Sequence, residues 1–428
     1  MKPLLRGLIP ITATMVLVVA AGCGGDSDSG DDGDIRGDTV TVIGTWGGDE
    51  QAAFLEMVKP WEDQTGAKVQ YTGTRDINTV LTTGVASGVL PDLAGLPGPG
   101  QMTEYANAGA LKPLNDVLDL PTYEADTAPA LVELGKVDDQ VYGVFIKAAI
   151  KGLIWFNPKV HDYSASPPTT WEDMLSQATT NNPGVATWCL GIESGAASGW
   201  PATDWIEDLV LRTAGPEVYT SWYQGKTKWT DPAIKNAVQM YVTDVVGKTY
   251  GGAQTAVATN FEVAGDPLFA AQPGCAYLHQ ASFITGLGQF KNLQAGTDYN
   301  FFPFPDINSQ YSGAVEGAGD LFGMFHDTAA AKSLMKYLVT ADAQDIWVKR
   351  GGALSANKNA TSYPDEISKR SAQILTEAET FAFDASDLMP TAMNDAFWRG
   401  MVALTNGSKS VDQVLSELDT TQADAYTQ

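Results

Sequence analysis

Residues 39–48 read TVTVIGTWGG, and this stretch sets the fold class of the chain. Its β-branched residues predict a strand. Its closing glycines lead into a helix-period segment in which Phe54, Val58 and Trp61 share one face. Outward from it, the same alternation predicts strands at 68–71 and 91–96 and helices at 76–87 and 101–108. Strands that alternate with helices indicate an α/β layer with a mostly parallel sheet.

The carboxyl ends of these strands are where we expect a ligand, because ligands bind at that edge of open α/β sheets. Trp46 and Arg75 both fall there, and Gly47 would let the backbone approach a ligand closely. Two simpler interpretations stay open. Trp46 could pack in the core, and Arg75 could mark the exposed start of a helix.

The remainder of the chain predicts a second region of mixed structure. Residues 141–157 form a long extended stretch that leads out of the first region, and residues 168–300 are helix-rich with interspersed strands. Residues 299–304 are again extended. Apolar periodicity predicts three late helices, at 328–348, 364–381 and 395–418. About 390 residues beyond the N-terminal segment are too many for one core, so we expect two lobes.

The chain is strongly acidic, with 51 Asp and Glu against 26 Lys and Arg and a net charge of −25. Such a surface repels nucleic-acid phosphates, so no nucleic-acid partner is expected. The three histidines lie far apart and lack metal-ligand spacing. Neither a metal nor another cofactor is expected.

The N-terminal segment predicts where the protein is located. Lys2 and Arg6 precede an apolar run of about a dozen residues, shorter than the roughly 20 that span a bilayer, and residues 1–22 are typical of a cleaved signal peptide. Small residues before Cys23 resemble a lipobox, which predicts a lipidated cysteine at the outer face of the cell membrane. An ordinary signal peptide with a chance cysteine is the alternative. Residues 23–37 would then comprise the anchor and a flexible acidic tether.

Two cysteines remain in the body once Cys23 is set aside, and they are Cys189 and Cys275. A disulfide is the expected state of such a pair outside the cytoplasm. The alternative is two free buried thiols.

Several motifs in one order give the chain a family resemblance. They include VIGTWGG (42–48), YGVFIKAAIKGLIWFNPKV (142–160) and GAGDLFGMF (317–325). The body from about 38 to 425 resembles the carbohydrate-specific extracellular solute-binding proteins of ABC importers, the class that contains the maltose-binding protein. Residues 188–212 and 275–284 resemble the α-glucoside-type members, and each of these two stretches contains one body cysteine.

The resemblance implies a periplasmic-binding-protein-like fold, in which two α/β lobes are joined by a hinge of three crossings with the ligand cleft between them. Mapped onto this chain, the N-terminal lobe covers 38–148 and 303–350, and the C-terminal lobe covers 152–299 and 355–425. The crossings would lie near 147–151, 299–302 and 351–354. It also implies a monomer, not an enzyme, that passes a di- or oligosaccharide, an α-glucoside for this subgroup, to the permease subunits of an ABC importer.

A sugar site needs aromatic rings for the apolar faces of the pyranose and polar groups for its hydroxyls. Trp200 is the better stacking candidate of its segment, and Trp398 matches an aromatic position of the family. Asp204 is a candidate whose alternative is to cap a helix. The remaining candidates are Lys151, Gln280, Gly319 and Asp320. Lys147 and Lys151 lie in an apolar strand and need either an acid or a sugar hydroxyl.

The main rival class is an extracellular glycoside hydrolase or another carbohydrate-active lipoprotein. Asp204, Glu207 and Asp208 could contain the carboxylate pair that glycoside hydrolysis requires. All three fall in one predicted helical turn, where acids also favour the helix dipole. No complete nucleophile-elbow, phosphate-loop or zinc-protease motif occurs in the sequence.

Overall fold

The computed structural model describes residues 34–378 and 380–427. The predicted signal peptide, Cys23 and most of the predicted tether lie outside these residues. Residues 34–37, predicted as the end of the tether, belong to the folded body: the Gly37 amide donates to the Gly66 carbonyl at 3.1 Å, and Ile35 packs on a hydrophobic core. In the described part of the chain, no helix combines the length and the apolar character that a bilayer crossing requires.

The strands of the described residues are β1 (Thr39–Gly44), β2 (Lys68–Gly73), β3 (Leu93–Leu96), β4 (Lys136–Val137), β5 (Gln140–Val141), β6 (Gly143–Ile150), β7 (Leu153–Phe156), β8 (Ala186–Cys189), β9 (Cys275–Gln280), β10 (Asn300–Pro303), β11 (Ala314–Met324) and β12 (Thr380–Phe383). The helices are α1 (Gly48–Thr65), α2 (Ile77–Ser87), α3 (Pro99–Asn107), α4 (Leu120–Asp126), α5 (Pro129–Leu134), α6 (Trp171–Asn181), α7 (Trp200–Tyr223), α8 (Pro232–Met240), α9 (Gly252–Ala258), α10 (Ala329–Leu338), α11 (Ala341–Arg350), α12 (Glu366–Glu377), α13 (Ala385–Leu388), α14 (Thr391–Thr405) and α15 (Val411–Ala425).

The first sheet has the order β12-β11-β3-β1-β2, with β6 on the other side of β11. Strands β1, β2 and β3 are parallel, as their alternation with α1, α2 and α3 predicts. Strand β11 runs antiparallel to both β3 and β6. Gly66 ends α1 with φ of 77°, a conformation that favours glycine at a helix C-terminus.

The second sheet has the order β10-β7-β9-β8 and is covered by α6, α7 and the helices that follow them. The chain leaves the first sheet through Lys151 and Gly152, and it returns between β10 and β11. Both α/β lobes of the expected fold are therefore present. Cys189 on β8 and Cys275 on β9 form a disulfide with Cα atoms 5.3 Å apart, which confirms the predicted pairing.

Strand β12 is a difference from the predicted lobe limits, because its residues were assigned to the second lobe but pair with the start of β11 in the first sheet. The predicted crossing at 351–354 lies beside the first crossing, where Leu354 and Ala148 exchange two backbone hydrogen bonds of 3.0 and 2.8 Å. The exact lobe limits stay a prediction.

The three late helices were predicted too long. The segment 328–348 divides at Thr340, whose hydroxyl accepts from the Ala343 amide at 3.2 Å and caps α11. The segment 395–418 divides before Ser410, which caps α15 in the same way. The segment 364–381 ends as a helix at Glu377, since TFAF (380–383) consists of residues that favour a strand and finds a partner in β11.

Candidate functional site

A cavity of about 140 Å³ lies where the carboxyl ends of β1 and β2 face the start of α7 and the segment after β12. Eight of the predicted ligand residues line it, namely Trp46, Arg75, Lys151, Trp200, Asp204, Gly319, Asp320 and Trp398. Lys147 also lines it. The structure thus brings together residues that lie far apart in the sequence: they come from the first sheet and its strand ends, from helices α7 and α14, and from the connection at Lys151.

Gly47 and Gln280 do not line the cavity. Gly47 precedes α1, and a Cβ placed on it would meet no atom within 4 Å. Gln280 is buried within β9, where its side-chain oxygen accepts from the Ala281 amide at 2.8 Å. Its main-chain oxygen accepts from the Trp155 indole at 2.8 Å. The structure therefore places Gln280 within the second sheet and not in the wall of this cavity.

Trp46 serves the core and the cavity at once. It is only 2% exposed, and its ring centroid lies 5.4 Å from Phe54, 5.8 Å from Phe322 and 4.8 Å from Trp347. The two interpretations of this residue are therefore compatible: most of the indole packs in the first lobe, and the remainder forms cavity wall.

Trp200 and Trp398 provide aromatic wall from the second lobe. Trp200 opens α7, and its ring lies 4.9 Å from Phe261. Trp398 lies on α14, and its buried indole N–H has no hydrogen-bond partner in the described residues. An aromatic ring with an unused donor suits a ligand that has both apolar faces and hydroxyl oxygens.

Lys147 connects the acids of the first-lobe side. Its ammonium lies 2.6 Å from Glu50 and 3.6 Å from Asp320. Burial raises the pKa of Asp320 against the lowering effect of Lys147. Arg75 lies 3.6 Å from Glu50 and 3.8 Å from Glu262, so it links the two sides of the cavity.

Lys151 sits at the first crossing and connects the acids on the opposite side. Its Nζ lies 2.8 Å from both carboxylate oxygens of Asp204, 2.9 Å from Asp384 and 5.1 Å from the centroid of the Trp200 ring. Although burial opposes its charge, the carboxylates of Asp204 and Asp384 raise the pKa of Lys151 well above its usual value. Burial raises the pKa of Asp204 to about 7, against the lowering effect of Lys151.

The capping alternative for Asp204 is wrong. Helix α7 begins at Trp200 with Gly199 in the capping position, so Asp204 lies past the first turn and is held by Lys151 instead. Asp204, Glu207 and Asp384 are close enough together to surround a cation, but the ammonium of Lys151 already supplies positive charge there.

The three acids that the hydrolase hypothesis relied on do not form a carboxylate pair in the cavity. Of its three acids, only Asp204 lines the cavity. Asp208 is bound by Arg212 at 2.5 Å and by His279 at 2.6 Å. Glu207 is fully buried and accepts from the Ser386 amide at 3.0 Å.

Sequence reasoning missed the segment after β12. Asp384, Ser386 and Asp387 all line the cavity, and they come directly after a strand. The rule that places ligands at the ends of strands would have identified them, had residues 380–383 been predicted as a strand; the helix predicted at 364–381 instead covered the first two of these residues.

Comparison with known proteins shows the family and the fold of this chain. Residues 46–345 match the family described as bacterial extracellular solute-binding protein. This chain belongs to that family. Its members are transport binding proteins that act outside the cytoplasm, so the predicted resemblance and the predicted fold are both confirmed.

Two relatives of this solute-binding protein match over nearly the full length. The osmoprotective compounds-binding protein GgtB of Synechocystis sp. is 37% identical over 95% of this chain and 97% of its own. The alpha-glucosides-binding periplasmic protein AglE of Rhizobium meliloti is 32% identical over 89% of this chain and 86% of its own.

Solved structures of solute-binding proteins share the fold. A chitin oligosaccharide binding protein, 21% identical, superposes with a TM-score of 0.78 over 92% of this chain and 100% of its own. The protein RafE in complex with raffinose, 17% identical, superposes with a TM-score of 0.71 over 91% of this chain and 99% of its own.

Proposed function

We propose that this protein captures a neutral sugar in the cavity between its lobes and delivers it to the permease subunits of an ABC importer. The observation that carries the proposal is the cavity wall itself. The wall combines the indole rings of Trp46, Trp200 and Trp398 with charged groups. These groups can accept hydrogen bonds from sugar hydroxyls or donate hydrogen bonds to them. Aromatic faces combined with converging polar groups are what a pyranose requires.

A di- or oligosaccharide with an α-glucosidic bond is the finer part of this proposal. AglE, whose name specifies alpha-glucosides, supports it at 32% identity. GgtB is 37% identical and is named for osmoprotective compounds, so both kinds of ligand belong in a binding test.

Capture would proceed by closure of the lobes. Arg75 pairs with Glu262, and Asp49 of α1 pairs with Lys291, so two ion pairs already join segments on opposite sides of the cleft. A ligand that contacts both sides adds to these contacts only in the closed form and therefore shifts the population towards it. We expect the connection at Lys151 and Gly152 to absorb part of that motion, because hinge motion concentrates at a few residues between the lobes.

We further propose that Cys23 is lipidated and anchors the protein to the outer face of the membrane. The support is the short apolar run with small residues before the cysteine. A secreted form with an unmodified Cys23 is the alternative.

A thermal-shift screen tests the binding function. The panel contains maltose, trehalose, sucrose and raffinose, with cellobiose as the β-linked comparison. A ligand at 100 times its Kd adds about 2.7 kcal/mol to the free energy of unfolding, so at least one α-linked sugar should raise the melting temperature. Chromatography should then recover that sugar unchanged, whereas its consumption would favour a hydrolase.

The same screen locates the site. Trp200→Ala removes a stacking surface, and we expect about 5- to 150-fold weaker binding of the sugar. Tyr250→Ala, which truncates an aromatic residue that is 45% exposed and lies outside the cavity, should bind like the wild type. The proposal fails if no sugar of the panel raises the melting temperature.

A further inference from the structure

One carboxylate of the cavity differs from the others. Glu50, Asp204, Asp320 and Asp384 each lie within 3.6 Å of Lys147 or Lys151. Asp387 also lines the cavity, but among the described residues its carboxylate accepts no hydrogen bond and enters no ion pair. It is the acid of the cavity whose oxygens are free for a ligand.

The backbone of Asp387 is firmly held. Its amide donates to Asp384 at 3.2 Å, and the neighbouring Ser386 amide donates to Glu207 at 3.0 Å. A Cβ built on Gly98 would lie 2.3 Å from the carbonyl oxygen of Asp387, so the chain after β3 packs directly against it. A free acceptor on a fixed backbone is preorganised for binding.

The cations of the cavity have no such freedom. Lys147 is shared by Glu50 and Asp320, and Lys151 is shared by Asp204 and Asp384. Arg75 is likewise placed between two carboxylates, one of which is Glu50. A negatively charged ligand would find every cation already paired.

The environment of the Asp387 carboxylate favours a ligand that donates hydrogen bonds to it. Burial, followed by repulsion from Asp384, raises the pKa of Asp387 well above its usual value. Hydroxyl groups that donate to its oxygens stabilise the ionised form of Asp387 and offset this cost, whereas a ligand carboxylate placed beside it makes ionisation more costly still.

We propose that Asp387 determines specificity by accepting hydrogen bonds from hydroxyls of a neutral sugar and by excluding sugars that carry a carboxylate. This inference rests on the proposed sugar-binding function and adds a rule for which sugars enter. The geometry makes Asp387 a ligand contact in its own right, distinct from the acids that neutralise the lysines.

Calorimetric titration tests this with four probes: maltose, trehalose, and the derivatives of both in which primary hydroxyls are oxidised to carboxylates. The wild type should bind at least one neutral sugar and bind its oxidised derivative at least about 100-fold more weakly. Asp387→Asn replaces one acceptor oxygen by an amide donor and removes the charge. The variant should bind the neutral sugar about 10- to 100-fold more weakly than the wild type does. The ratio of the affinity for the neutral sugar to the affinity for its oxidised derivative should fall at least about tenfold.

The matched control is Asp116→Asn, the same change at an exposed position outside the cavity, which should leave both affinities unchanged. If the Asn variant does not fold, Asp387→Ala takes its place, with its fold checked by circular dichroism. The same ratio of neutral to oxidised affinity is then measured with that variant. Wild-type affinities and an unchanged ratio in a folded Asp387 variant overturn the inference while leaving the proposed function intact. If the wild type binds neither neutral sugar, the sugar-binding function fails and this inference fails with it.

Discussion

Glu207 and Glu316 are fully buried acids, and among the described residues Glu207 Oε2 and both carboxylate oxygens of Glu316 accept no hydrogen bond. A buried carboxylate oxygen without a donor is costly in its charged form, so this setting favours the protonated form of both groups. Burial is the main cause that raises the pKa of both groups well above their usual value, with repulsion from nearby acids as the second cause. The pair also joins separate parts of the chain, because the Glu316 carbonyl accepts from the Lys151 amide at 2.9 Å and Glu207 accepts from Ser386.

We expect Glu207→Gln to make the stability of the protein less dependent on pH. A raised pKa means that the native state binds the proton more tightly than the unfolded state, so stability falls as pH rises above the unfolded value of about 4.3. The Gln variant has no such proton to lose. Melting temperatures between pH 5 and pH 9 should fall more steeply for the wild type.

Glu217→Gln is the control for this comparison, since Glu217 is exposed and its removal should leave the slope of the wild type unchanged. Equal slopes in the wild type and Glu207→Gln would show that the buried pair does not govern the alkaline loss of stability.

At this scale the sequence predicted residue types better than residue roles. Lys151 was assigned either to an acid or to a sugar hydroxyl, and the structure pairs it with two acids. Gln280 was assigned to the ligand because an amide suits hydroxyls, but it lies on β9 outside the cavity wall, and its side-chain oxygen accepts from the Ala281 amide. The role of such a residue depends on which residues distant in the sequence pack beside it in the fold. The local sequence does not contain that information.

Gly152 shows how one element, the connection between β6 and β7, depends on a single residue. Its φ is 67°, and a Cβ there would lie 2.3 Å from a carboxylate oxygen of Asp208. That carboxylate cannot move aside easily, because Arg212 and His279 bind it. The connection therefore requires a glycine for two independent reasons.

Gly152→Ala should lower the free energy of unfolding by about 2–4 kcal/mol, combining backbone strain with the clash. Gly184→Ala is the matched control, because Gly184 has a similar φ of 82° and no atom within 4 Å of the added Cβ. It should cost only about 1–2 kcal/mol. Urea unfolding measures both, and equal costs for the two variants would contradict the role given to Asp208.

Elements with strong local signals were predicted well, and those defined by pairing were not. The β-branched residues of β1 predict that strand, and the glycine at the C-terminus of α1 predicts where that helix ends. Strand β12 follows directly after helix α12, and its identity depends on β11, a partner some sixty residues away in the sequence. Helix caps such as Thr340 are visible in the sequence, but apolar periodicity that continues across them conceals the break.

The whole molecule was predicted mainly through the family resemblance, since length and composition alone indicated only an acidic protein of two lobes. The parallel start of the first sheet followed from alternation. The return of the chain to that sheet through β11 and β12 did not, because both strands pair over long sequence distances.

The proposed lipid anchor concerns the whole chain, and Cys23→Ser tests it. We expect the wild type to sediment with membranes and the variant to be released, because a serine offers no thiol for lipidation. Fractionation followed by mass spectrometry of the N-terminal peptide measures both. A wild type that stays on the membrane with an unmodified thiol would contradict lipidation.

Because three tryptophans lie in the cavity wall, the intrinsic fluorescence of the protein should depend on whether the proposed site is occupied. Trp46, Trp200 and Trp398 line the cavity, and the other eight of the eleven tryptophans do not. If this cavity binds the proposed sugar, we expect the ligand to change the polarity around these three indoles more than around the other eight. Ultraviolet emission should then report filling of the cleft without any attached dye.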